Sequence, residues 1–449
     1  MSCQIFDYEM AFRAMDTTSD AMKAAIRKWF DLYFGKERTE DSDPCQQIPH
    51  TIVRKLTKTA FSEYAASSTD AFVSGILSAL DARRMDAVQM ALIGGESGLK
   101  PVPNGDGFRF TVVNRRDILV FARDGDGRIT DVGMAEHSIS GRYYYTLLER
   151  RSVDTGGYLT ITNKLYRSQD KNTLGQAVPL DTLPQYADLE ETYTFETPLG
   201  GIGIVWLKTP IANCVDGSRD GVSAYAAAVG LIENINRNEA QINGEFERGE
   251  SRIIVSGDMM EAGPDGKRKK LTAHVFTQVD ESPEDIGITT FSPAFREQSF
   301  LARKQEYLRN VESVIGLKRG LLSDVEAQER TATEVTSSEG DYNLTVIDYQ
   351  RMWEDAVKEA IHVCGILGGL YRIPGAHEAT EDSFTIDWGN GVLYDEEKTW
   401  ADYKDMVASG LLKPEIALGW RFNMPVDTPE DLARIRAKYM PDAVETGEA

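Results

Sequence analysis

Two stretches with the same helical period, Val222 to Arg248 and Ala294 to Leu317, flank a short β-rich insert. A chain so arranged has to fold there as two long arms with a small unit between their ends. In the first arm Tyr225, Val229, Ile232, Ile235, Ile242 and Phe246 recur at intervals of three, four and seven, the spacing of one helix face. A helix of that length spans about 40 Å. The return arm starts at Ser292-Pro293, a cap followed by a first-turn proline, and carries Phe300, Leu301, Leu308, Val311 and Ile315 on its apolar face. The opposite faces are polar: Asn234, Asn236, Arg237, Asn238, Gln241 and Asn243 on the first arm, and Arg296, Arg303, Lys304 and Arg309 on the second. Faces of that composition are predicted to meet water or a neighbouring subunit.

Between the arms, Ile253–Val255 and Leu271–Val279 alternate β-branched or aromatic residues with polar ones and read as strands. Gly263-Pro264-Asp265-Gly266 supplies a turn, and Lys267, Arg268, Lys269 and Lys270 follow it. Such a basic run serves as a solvated loop that discourages edge pairing, as a docking tip for an acidic partner, or as a contact to a nucleic-acid backbone.

Elsewhere the period changes along the chain. Helices are predicted over Asp20–Phe34, Ile48–Ala65 and Ala71–Ile93, the first with Met22, Ile26, Trp29, Phe30 and Tyr33 on its apolar face. Strands follow at Phe108–Val113, Ile118–Ala122, Ile129–Met134, Tyr143–Glu149, Tyr158–Tyr166 and Ile202–Lys208, most of them separated by glycine-rich turns, which implies antiparallel hairpins. A helix is predicted from Thr331 to Tyr371, a strand at Phe384–Trp388, and helices at Glu396–Ala408, Pro414–Trp420 and Pro429–Tyr439. The fold class is α+β, and 449 residues are too many for one core.

The charge balance, 49 basic against 71 acidic side chains, argues against a protein that grips DNA through phosphate capture. The net charge of −22 repels a polyanion rather than binding it. Met1–Asp16 lacks the apolar core of a signal peptide, and no run reaches the length of a membrane span. Cys3, Cys45, Cys214 and Cys364 have no paired spacing and read as free thiols of a reducing cytoplasm. Local motifs for chemistry fail on inspection. Asp124-Gly125-Asp126-Gly127 lacks the later calcium-loop ligands in either register and reads as a hairpin turn. In Gly94-Gly95-Glu96-Ser97-Gly98-Leu99-Lys100-Pro101 the lysine does not follow glycine and proline replaces the hydroxyl of a phosphate loop. His362 and Cys364 lack helical metal-ligand spacing and are assigned to different faces. No catalytic residue, cofactor or metal site is predicted.

The order of several segments resembles phage portal proteins, the vertex ring through which double-stranded DNA is packaged and ejected, especially the branch from long-tailed phages of Gram-positive hosts. The segments are Gly94-Gly95 through Gly98-Leu99-Lys100-Pro101, Ile211-Ala212-Asn213, Asp220-Gly221-Val222-Ser223, Thr331-Ala332-Thr333-Glu334-Val335, and Asp387-Trp388-Gly389-Asn390-Gly391 with Asp395-Glu396-Glu397-Lys398. The resemblance implies a wing (1–221), a first stem helix (222–252), a clip (253–293), a second stem helix (294–317), a tunnel loop (318–330), a long helix with a return strand to the wing (331–395) and a crown with C-terminal tail (396–449). It implies a homo-oligomeric ring, commonly of twelve subunits, in the virion at the capsid vertex, assembled in the host cytoplasm. Its partners would be double-stranded DNA, the terminase large subunit, a head-completion adaptor, and the major capsid and scaffold proteins. Lys318, Arg319, Glu326, Glu329 and Arg330 would face DNA, their mixed charge fitting either gripping or guiding, and Lys267–Lys270 would dock partners at the clip. Two rivals are another virion assembly or connector protein and an acidic cytoplasmic hydrolase with paired carboxylates.

Overall fold

The computed structural model describes residues 4–35, 45–248, 252–256, 275–278, 289–291, 296–324, 332–389, 396–422, 424–426 and 428–440. The chain divides into two units, Met1–Phe61 with Ala66–Ile386, and Ser62–Ala65 with Asp387–Ala449.

The larger unit opens with α1 (Gln4–Phe12), α2 (Asp20–Phe34) and α3 (Ile48–Ala60), followed by β1 (Ala65–Ser67) and α4 (Ala71–Gly94). The limits of α2 agree with the sequence because both ends carry chemical signals. Ser19 Oγ accepts from Met22 N at 3.1 Å, and Gly35 ends the helix in the left-handed region. The second predicted helix stops at Ala60 rather than Ala65, since Phe61 leaves helical geometry and sets its ring edge-on against Trp353, 5.9 Å between centroids. Around α4 gather α2, α3, β2 and β3 and the later helix α7 (Ala332–Leu370). Trp29, Phe30, Leu80, Leu92 and Trp353 are fully buried in this unit. Each such side chain contributes about 1.5–3 kcal/mol through removal from water.

β2 (Glu96–Asn104) was not predicted as a strand: glycine and two prolines mask its period. It pairs with β3 (Gly107–Asn114) along its length, whereas β10 (Val205–Lys208) pairs with Glu96–Leu99 alone. Pro101 and Pro103 therefore lie past the end of β10, where a missing N–H breaks no ladder. A second sheet runs β4 (Ile118–Arg123), β5 (Ile129–Ser140), β6 (Tyr143–Val153), β7 (Leu159–Ser168) and β8 (Gln176–Val178), with β9 (Thr192–Thr194) also on β7. The unbroken apolar run in β4 follows from burial on both faces: Ile118 and Val120 join Val132, Ile202 and Ile204, while Leu119 and Phe121 meet Phe12 and Leu148. The Asp124 turn joins β4 to β5 as predicted, with Asp124 Oδ1 accepting from Asp126 N and Arg128 N, both at 2.9 Å.

The two sheets are tied by Glu149 on β6. Arg151 Nε lies 2.6 Å from Glu149 Oε1, Lys100 of β2 pairs with Oε2, and Arg151 Nη1 donates to Ile202 O at 3.0 Å. Burial pushes the Glu149 carboxyl up, but Arg151 and Lys100 outweigh it and hold the group at about 2, below the ordinary 4.5. A depressed folded-state pKa stabilises above the unfolded value and ceases to do so as pH falls through the folded one. Glu149→Gln is thus expected to cost about 3 kcal/mol at neutral pH. In urea titrations the gap to the parent should close between about pH 4.5 and pH 2; a gap unchanged at the acid end would show that the ion cluster is not its source.

Next come α5 (Val229–Arg248), a three-stranded sheet of β11 (Arg252–Ser256), β12 (Val275–Gln278) and β13 (Thr289–Phe291), α6 (Glu297–Ile315), α7 and β14 (Thr385–Asp387). β11 is central, parallel to β12 and antiparallel to β13. Within α7, His362 is exposed while Cys364 is buried, so they occupy different faces as expected. Cys45, Cys214 and Cys364 are free. The smaller unit contains α8 (Glu396–Ala408), α9 (Pro414–Arg421) and α10 (Pro429–Tyr439). Trp400 stacks on Trp420, Phe422 stacks on Tyr439, and Arg436 pairs with the buried Glu415 at 2.5 Å. Among the described residues no helix is long and apolar enough to cross a membrane.

Candidate functional site

The arms are antiparallel: Glu239 reaches Lys304 (2.6 Å), whereas Glu245, further along α5, reaches Arg296 (2.9 Å) at the start of α6, and Asn238 reaches Phe300. The first arm is shorter than predicted. Val222–Tyr225 precede the helix, and Ala226–Ala228 form a single 3-10 turn. The cause is tertiary: Ala224 N and Ser223 Oγ both donate to Leu92 O (2.8 and 3.0 Å), and Tyr225 Oη donates to Trp29 O (2.8 Å), so this segment is held against the end of α4. Burial pushes the Tyr225 phenol up and keeps it a donor. The polar face also departs from expectation. Asn236 and Asn238 are buried, Asn236 Oδ1 accepting from Gln46 N at 2.9 Å and Asn238 Nδ2 donating to Phe300 O at 3.1 Å. By contrast Phe246 and Leu301, predicted on apolar faces, are 45% and 44% exposed.

The root of α5 is a buried ionic cluster. Glu96, fully buried at the start of β2, lies 3.1 Å from Arg115 Nε and 2.9 Å from Arg123 Nη2, and accepts from Gly221 N at 3.1 Å. Asp220 lies 2.6 Å from Arg123 and 3.4 Å from Arg115. Burial weakens the hold of Arg123 on its proton, but Glu96 and Asp220 more than restore it. Asn213 shapes the approach, its Oδ1 accepting from Val215 N (2.8 Å) and its Nδ2 donating to Ser218 Oγ (3.0 Å). Gly95 adopts φ +82°, and a Cβ there would lie 2.2 Å from Gly221 O. Three separated sequence segments, around Gly95, Asn213 and Asp220, thereby meet at one place.

At this same end of the antiparallel pair, α6 closes on Gly316 (φ +71°) with Leu317 N donating to Glu312 O at 2.8 Å. The chain then turns back over Glu312, whose side chain is fully buried. Its carboxylate accepts from Gly320 N (3.2 Å), Leu322 N (2.5 Å), Ser323 N (2.9 Å) and Ser323 Oγ (2.8 Å). Gln305 and Asp324 exchange two further bonds, each 2.8 Å. Lys318 on this turn is half-buried and Arg319 exposed. Glu326, Glu329 and Arg330 lie outside the described residues, as do Lys267, Arg268, Lys269 and Lys270. The sequence reading missed Glu312, although a signal existed: it is an acid set among Leu308, Val311 and Ile315 on the stripe that the helix buries.

A cavity of about 510 Å³ lies beneath α1 and α2. In its lining Asp16 lies 3.3 Å from Lys23 and Asp117 3.7 Å from Arg116.

The family model described as phage portal protein, SPP1 Gp6-like, matches residues 77–438. No curated protein matches the chain.

Proposed function

The chain belongs to the phage portal protein family, a structural, non-enzymatic component of the virion that assembles as a ring with capsid and DNA, and from that premise we propose that α5 and α6 are the stem whose copies enclose the DNA channel. The observation that carries this reading is the antiparallel pair itself, with Phe246, Leu301 and Val314 exposed along it. Apolar side chains in that position are removed from water when equivalent arms stand side by side. A closed ring also explains the arm ends: the β11–β13 sheet at one end is the clip, and the turn over Glu312 at the other begins the tunnel loop. Residues 1–221 and the return strand form the wing, and α8–α10 the crown. The acidic balance of the chain keeps a duplex moving along the wall.

In this reading twelve subunits form the ring, and the terminase large subunit docks at the clip through Lys267–Lys270 and supplies ATP hydrolysis. A head-completion adaptor later takes the same place, while major capsid and scaffold proteins surround the wing. Assembly precedes genome entry, in the host cytoplasm. Lys318, Arg319, Glu326, Glu329 and Arg330 face the DNA.

Native mass measurement with negative-stain images of the purified chain is expected to give a closed ring with an axial hole wide enough for a duplex. Replacing Lys267–Lys270 by glutamate should leave that ring intact and abolish terminase binding. A monomer, or a shell without a channel, would exclude the stem assignment.

A further inference from the structure

We propose that Glu312 is a positioning residue: its buried carboxylate fixes the Lys318–Asp324 turn to the end of α6 and so sets where Lys318 and Arg319 meet the duplex. The inference rests on the reading above that this turn faces DNA.

The placement of the carboxylate is energetically costly and locally unnecessary. Glu312 sits in the last turn of α6, where the helix dipole disfavours negative charge. Burial adds a desolvation cost, and a leucine there would continue the stripe of Leu308, Val311 and Ile315. What the carboxylate provides instead is a set of four donors gathered from one short segment: Gly320 N, Leu322 N, Ser323 N and Ser323 Oγ. Charge-assisted bonds of this kind are roughly twice as strong as neutral ones and directional. An apolar residue cannot make them, and the amide of glutamine can accept at one atom only. The Gln305–Asp324 exchange adds a second tie from the preceding part of α6. The turn is thus clamped to the helix at two places, while Arg319, the residue just ahead of the first clamped amide, stays exposed. Glu312 touches no DNA in this arrangement; it acts through the backbone that carries Lys318 and Arg319. A clamp of this design fixes the backbone from which the two side chains project, and leaves the side chains themselves to adapt.

The test uses assembled rings in packaging-competent particles. Glu312→Gln, Glu312→Asp and the milder Gln305→Ala are compared with the parent for ring mass, for amide hydrogen exchange at Gly320, Leu322 and Ser323, and for photo-crosslinking of packaged DNA to a reporter attached at Arg319→Cys. In Glu312→Gln we expect intact rings, exchange at the three amides faster by about ten- to a hundredfold, and crosslinking reduced by about threefold or more with its sites spread along the DNA. Glu312→Asp, which keeps the charge, should recover part of both signals, and Gln305→Ala should loosen the Asp324 end with a smaller change. Should Glu312→Gln fail to assemble, the Gln305→Ala and Glu312→Asp rings carry the comparison. Amide exchange within twofold of the parent would overturn the clamp. Loosened amides with unchanged crosslinking would overturn the positioning role while leaving the DNA-facing placement standing. No crosslinking even with Glu312 intact would overturn that placement and, with it, this inference, whereas the exchange data would still report the clamp itself.

Discussion

Gly95→Ala is expected to leave little folded protein. Two costs coincide at this residue: the left-handed backbone, worth about 1–2 kcal/mol against any side chain, and a Cβ 2.2 Å from Gly221 O, a separation that no relaxation of side chains can relieve. Together they should exceed about 4 kcal/mol, a large share of what a domain has to lose. Gly221→Ala makes the mirror-image clash, its Cβ 2.3 Å from Gly95 O. Gly105→Ala is the control, since Gly105 also has positive φ (+61°) but nothing lies within 4 Å of its Cβ. Soluble yield and near-ultraviolet circular dichroism should separate the variants, with Gly105→Ala close to the parent and the other two largely unfolded. Equal behaviour of Gly95→Ala and Gly105→Ala would mean that the crowding has no energetic weight.

The second large effect concerns the cluster beneath the same glycines. Glu96→Ala leaves the buried Arg115 and the half-buried Arg123 with Asp220 as their remaining acid, and a buried ion pair broken on one side typically costs about 3–5 kcal/mol. Arg123→Ala alone should be comparably damaging, but the double variant should lose much less than the sum. A denaturation cycle measures that coupling. A loss under about 1 kcal/mol for Glu96→Ala would place water or another cation partner in the site and remove the argument from burial.

These expectations show which parts of the molecule could be read in advance. Helices α2 and α10 were legible to the residue because capping chemistry marks their starts; Thr428, for example, accepts from Asp431 N at 3.2 Å. The strands of the larger sheet were legible through period two and their turns, though β5 runs past its predicted end to Ser140 where apolar alternation stops, and β6 continues to Val153 through Arg150 and Arg151, which are held by Asp131 and Glu149. β2 escaped notice because its sequence is shaped by crowding against Gly221 and by an open edge at Pro101 and Pro103 rather than by alternation. Val222–Ala228 looked helical by spacing, but hydrogen bonds to Leu92 and Trp29 overrode a propensity that is weak on its own. The resemblance pointed to motifs around Gly95, Asn213 and Asp220 without giving them a purpose; their meeting point supplies one. Glu312 was hidden for a different reason, since the donors that explain it come from a turn eight to eleven residues later.

The length of α7 has a mechanical consequence. Its 39 helical residues form a rod of about 58 Å, and from Val346 to Leu367 that rod is seated by Tyr349, Trp353, Val357 and Ala360 in the interior of the larger unit. A seated rod resists bending, so it responds to force as a lever. A tilt of about 5° about its midpoint sweeps each tip through about 2.5 Å, given a helical rise of 1.5 Å per residue. Because Val346–Leu367 is packed in that interior, a tilt of this size has to carry the surrounding core side chains with it.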